Sequence, residues 1–106
     1  MLYTGDRQLT SAEIFKFLEN HRVELKEFKV KRLGLFGSFI RGEQTLNSDI
    51  DFIVEYEEGG KSFDNFMRLI DFLEAAFGYR VELATPESLS AYIKPYIDKE
   101  VRYVQV

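Results

Sequence analysis

Two aspartates, Asp49 and Asp51, stand in a run, DIDFIVEY (residues 49–56), that otherwise reads as a buried β-strand. Side chains alternate between the two faces of a strand, so both carboxylates project one way while Ile50 and Phe52 project the other. The pattern calls for a sheet with an apolar face for helices to cover and an acidic patch opposite. Carboxylates at the margin of a core are costly unless something cationic lies between them.

The rest of the chain supplies the helices. In LTSAEIFKFLENHRVELKEF, Thr10 and Glu13 have capping-box spacing, and Ile14, Phe17, Leu18, His21, Leu25 and Phe28 follow at helical intervals. His21, the single histidine, falls on that stripe and reads as a structural, hydrogen-bonded residue. Val30 to Phe36 reads as a strand that ends at Gly37-Ser38, followed by a compact connection with one helical turn at its start. The turn EEGGK leads into SFDNFMRLIDFLEAAFG, where Ser62 is the expected N-cap and Gly78 the left-handed C-cap. Its apolar stripe is Phe63, Phe66, Met67, Ile70, Leu73, Ala76 and Phe77. YRVELAT predicts a third strand, with Val81 and Leu83 on one face and Glu82 on the other. TPESL predicts a helix start with Thr85 as cap and Pro86 in its first turn. A short helix from about Pro95 to Val101 and an extended RYVQV complete the chain. The order α-β-β-α-β-α describes a mixed α/β (α+β) sandwich with helices on one sheet face, and residues 1–106 read as one domain.

Composition narrows the chemistry. The chain has no cysteine and one histidine, which excludes disulfides and thiolate sites and leaves zinc sites and a Ser-His-Asp triad poorly supported. A bound metal would have oxygen ligands, which favours magnesium or manganese. Glu82 on the third strand is placed to join Asp49 and Asp51, and three converging acids repel one another unless a divalent cation is bound. Two-metal phosphoryl or nucleotidyl transfer requires such a set of bridging carboxylates. Gly37 and Ser38 sit where a strand gives way to a helical turn and suit close approach of backbone and hydroxyl to phosphate. Arg41, one turn further on, can offset phosphate charge. Each feature has a plainer reading taken singly: a solvated strand end for the aspartates, a helical-turn cap for Ser38, and a surface ion pair of Arg41 with Glu43 worth under about 1 kcal/mol. Their joint spacing carries the metal–triphosphate reading.

That spacing, Gly-Ser, ten residues, then Asp-x-Asp, resembles the signature of the polymerase-β-like nucleotidyltransferase superfamily. With VELAT and LSAYIKPYIDKEVRYV after it, the chain is similar to the minimal nucleotidyltransferase (MNT) family. The resemblance implies a mixed-sheet nucleotidyltransferase core that binds Mg²⁺ and ATP, with two ions. Asp49 and Asp51 match the Asp-x-Asp metal ligands, and Gly37 and Ser38 the pair that holds the triphosphate. Glu82 matches the third acidic position, where many members carry the shorter aspartate. Members of this family commonly act as antitoxins beside a helical HEPN-family toxin, and the best-understood of them transfer AMP from ATP to a tyrosine of that partner.

The expected function is therefore Mg²⁺-dependent adenylylation of a HEPN partner within a hetero-oligomer, the second chain bringing the acceptor. The alternatives are a non-catalytic antitoxin that blocks its partner directly, with Tyr92 and Tyr96 as contact candidates, and nucleotidyl transfer to a small molecule or an RNA end. A net charge of −4 argues against extensive nucleic-acid binding, although KVKR remains a local basic patch. With no long apolar run and no secretory-leader pattern at the N-terminus, the expected location is the cytoplasm, away from membranes.

Overall fold

The computed structural model describes residues 8–106, so the leader reading, which concerns the N-terminus, falls largely outside the described residues. Helices α1 (Ser11–Asn20) and α2 (Arg22–Glu27) precede strand β1 (Val30–Phe36). A one-turn helix α3 (Ser38–Arg41) leads towards β2 (Ile50–Tyr56). Helix α4 (Phe63–Phe77), β3 (Val81–Ala84), a 3₁₀ turn (Pro86–Ser88), α5 (Lys94–Glu100) and β4 (Arg102–Gln105) follow. The four strands form one mixed sheet in the order β3-β2-β1-β4. β2 and β3 are parallel, while β1 is antiparallel to both β2 and β4. This is the α+β arrangement that the sequence pattern predicts.

Strand alternation separates the faces. Leu33, Leu35, Ile50, Phe52, Val54, Val81 and Val104 enter the main core. There they meet Ile14, Phe17, Leu18 and Leu25 from α1 and α2 and Leu69, Leu73, Ala76 and Phe77 from α4. The Phe17 and Phe77 rings meet edge to face at 4.9 Å. Each such side chain contributes about 1.5–3 kcal/mol by leaving water, so this layer fixes the sheet's orientation. On the opposite face Ile53 is buried outside the main cluster, as is Ile97 of α5. Gly34 permits that second layer: a Cβ there would lie 2.6 Å from Val101, 2.8 Å from Tyr103 and 2.9 Å from Ile53.

The caps form as the sequence predicts. The Thr10 hydroxyl accepts from the Glu13 amide at 3.3 Å, and the Glu13 carboxylate accepts from the Thr10 amide at 3.0 Å. The Ser62 hydroxyl accepts from the Asn65 amide at 3.1 Å, and Gly78 closes α4 at φ +73°.

Three local expectations are corrected. The first helix is two helices, because His21 leaves helical geometry (φ −118°, ψ 29°). Its ring stacks on Phe17 at 3.9 Å and its Nδ1 lies 2.8 Å from the Phe17 carbonyl oxygen, in keeping with a structural role. Phe63 is 80% exposed and Met67 40% exposed. They lie in the first turns of α4, whose buried residues begin only at Leu69. TPESL forms a 3₁₀ turn rather than a helix start, although the Thr85–Ser88 capping exchange is present.

Candidate active site

The C-terminal end of β1 and the N-terminal ends of β2 and β3 meet at one side of the sheet. Pairing across β1 and β2 sets Phe36 opposite Asp51, which brings the Gly37-Ser38 turn beside the aspartate. Gly37 has φ +79°, and a Cβ there would overlap the Asp51 Oδ2 atom. Only glycine lets the backbone pass so close to the carboxylate. Ser38 begins α3, and the Arg41 amide returns to the Gly37 carbonyl at 3.2 Å.

The acids come from three places. Asp51 lies within β2, while Asp49 falls just before it and is paired loosely, at 4.0 Å, with the exposed Arg80 guanidinium. In the parallel β2–β3 ladder Glu82 stands directly opposite Asp51. Burial pushes the Asp51 carboxyl up from 3.8 to about 6, and the negative charges of Glu82, Asp49 and Glu100 add to the rise while Arg41 opposes it. Repulsion among these acids is therefore expressed at Asp51. Among the described residues no group of three acids or histidines stands close enough to form a ready-made metal cage.

Glu100, the last residue of α5, was not anticipated from sequence. Its Oε2 accepts from the Gly37 amide at 2.7 Å, and Arg41 Nη1 donates to Oε1 and Oε2 at 3.1 and 3.2 Å. Arg41 Nε also donates to Glu43 at 2.9 Å, so the plain surface pair exists alongside the contact with Glu100. One signal for Glu100 was available: an acid in the last turn of a helix opposes the helix dipole and needs another reason to be there.

The site thus brings carboxylates together with a backbone amide and a guanidinium. That is the polarity needed to hold a metal-bound polyphosphate. A shallow groove of about 360 Å³, lined by Ser48, Asp49, Tyr79 and Arg80 among others, adjoins the acids. A larger groove of about 520 Å³ lies by the C-terminal end of β2, beside Lys31, Tyr56 and Glu87, away from this chemistry.

Known proteins resemble the chain in sequence and in fold. A family model described as nucleotidyltransferase domain matches residues 18–104. The protein adenylyltransferase MntA of Thermococcus cleftensis is 42% identical over 97 residues, covering 91% of this chain and 97% of the relative. A solved minimal nucleotidyltransferase structure superposes with a TM-score of 0.75 at 25% identity, covering 90% of this chain and 96% of that one. A chain of a toxin–antitoxin complex solved with AMP-PNP matches with a TM-score of 0.63, also at 25% identity, covering 90% of this chain and 72% of that one. The matched stretch takes in the Gly-Ser turn, the paired aspartates and the sheet as far as Val104 in β4, and by that measure the chain belongs to the nucleotidyltransferase domain family, in its minimal nucleotidyltransferase branch.

Proposed function

We propose that the chain, as one minimal domain, transfers AMP from ATP to a tyrosine hydroxyl of a HEPN-type toxin partner and so acts as its antitoxin. The tyrosine oxygen forms the new bond to the α-phosphorus, the bond to the bridging oxygen of the β-phosphate breaks, pyrophosphate leaves and the phenolic proton passes to solvent. The observation that carries the reading is Asp51, held against Gly37 and opposite Glu82, with its carboxyl raised by burial and then by the neighbouring acids. The name of the Thermococcus relative and the AMP-PNP in the related complex support an adenine nucleotide and a protein acceptor.

The donor set consists of oxygens and fits a hard divalent cation such as Mg²⁺, which Asp49, Asp51 and Glu82 would hold. Bound there, the ion would offset the triphosphate charge and lower the pKa of the attacking hydroxyl. Gly37 and Ser38 grip the phosphates through backbone and hydroxyl donors, and Arg41 draws charge from the leaving pyrophosphate. Among the described residues no helix is long and apolar enough to cross a membrane.

One observation favours a second reading, antitoxin action by binding alone. Tyr92 is 89% and Tyr96 73% exposed, so both stand ready for a partner surface. A single experiment separates the two. The chain and its HEPN-type partner are incubated with Mg²⁺ and ATP, and both are followed by intact-mass spectrometry beside an Asp49→Asn/Asp51→Asn variant. AMP added to a partner tyrosine by the unmodified chain alone supports transfer. Neutralisation of the toxin by the variant, with no mass gain in either case, establishes the binding reading instead.

A further inference from the structure

The geometry points to Glu100 as an internal anion that occupies the phosphate donors of the candidate active site and must swing away before a nucleotide triphosphate can enter. The inference rests on the nucleotide reading of the site and adds a gate to it. A carboxylate and a phosphate present similar oxygens to the same donors, and Glu100 already makes the contacts a phosphate would make. The Gly37 amide donates to it at 2.7 Å, a short bond for an N–H with one hydrogen to give. Arg41 Nη1 spans both carboxylate oxygens at 3.1 and 3.2 Å, and Arg41 Nε is held by Glu43. A triphosphate arriving at these donors meets two obstacles: the amide is already engaged, and a like charge stands beside it.

The opening motion is small. Glu100 is linked to the site through its side chain, which is 24% exposed. Its backbone neighbour Val101 is anchored, with its amide donating to the Ile97 carbonyl at 2.9 Å and its side chain close against Gly34. Ile97 is buried. A rotamer change of Glu100 therefore frees the Gly37 amide and Arg41 without moving α5. The closed site is thus hostile to an arriving triphosphate.

The test is Glu100→Gln, which keeps the shape and removes the charge, with Glu100→Ala beside it. Dissociation constants for adenosine, AMP and ATP are measured by calorimetry, with Mg²⁺ and with EDTA, and each chain's thermal midpoint is recorded without ligand. The gate predicts that both variants bind ATP about tenfold more tightly than the unmodified chain, bind adenosine unchanged, and melt lower without ligand. A brace that merely shapes the turn predicts weaker ATP binding in both variants. ATP binding that is equal or weaker in Glu100→Gln, while the unmodified chain binds ATP, overturns the gate alone. Folded protein that binds no ATP in either form overturns the nucleotide reading and the gate with it.

Discussion

Replacing Asp51 with asparagine is expected to stabilise the fold while abolishing transfer. Burial, with Glu82 and Asp49 nearby, raises its carboxyl from 3.8 to about 6. A group whose folded pKa is raised binds its proton more tightly in the folded state, so ionising it costs stability above that pKa. The cost is relieved as pH falls through the window from about 6 to about 4. Taken at face value the shift corresponds to roughly 3 kcal/mol at neutral pH. The carboxylate is only half-buried and water screens its neighbours, so about 1–2 kcal/mol is the expected gain for Asp51→Asn. In a domain of this size that raises the midpoint by on the order of 5–10 °C. Urea unfolding of both proteins in EDTA, at pH 7.5 and pH 4.5, checks it: the variant should lead clearly at pH 7.5 and lose most of that lead at pH 4.5. Added Mg²⁺ should then recover the unmodified protein and leave the variant unchanged. A variant that is no more stable at pH 7.5, or a difference that does not change with pH, refutes the electrostatic account of the site.

Two further substitutions test the scaffold. Gly34→Ala places a methyl group within 2.6–2.9 Å of Val101, Tyr103 and Ile53 and should cost about 1–3 kcal/mol in urea unfolding; a neutral result would mean that the second sheet face repacks freely. Thr10→Ala removes one half of the capping box on α1 and should cost about 1 kcal/mol while ATP affinity, measured by calorimetry, stays the same.

The acids were legible in the sequence because strand alternation is a local rule. Asp49 and Asp51 two apart, with Ile50 and Phe52 between and after, predict an acidic face and a core face without knowledge of the partners, and both apolar residues are fully buried. Register is another matter. That Glu82 stands opposite Asp51, rather than one residue to either side, depends on where the β2–β3 ladder begins. One hydrogen bond from Ile50 to the Arg80 carbonyl and another from Val81 to the Glu74 side chain hold that start in place, and neither leaves a pattern in composition or periodicity. The helices show the same division. The stripe from Ile14 to Phe28 is unbroken in sequence, and the break at His21 comes from one residue's backbone geometry. Phe63 obeys the helical period of α4 and is exposed all the same, because periodicity specifies a face and not how far the sheet beneath it extends.

Glu100 marks where local reading ends. It lies 63 residues from Gly37 and reaches the turn only because β4 adds to the free edge of β1, which brings the end of α5 over the strand that carries the Gly-Ser step. The same pairing that completes the sheet therefore puts a carboxylate onto the Gly37 amide and the Arg41 guanidinium. Any change that loosens β4, such as bulk added at Gly34, should disturb nucleotide affinity as well as stability, because both depend on the closure of one edge of the sheet. Changes at the start of α1, such as loss of the Thr10 cap, should act on stability alone. The two kinds of substitution thus separate a strand edge that sets the site from a helical layer that only supports it.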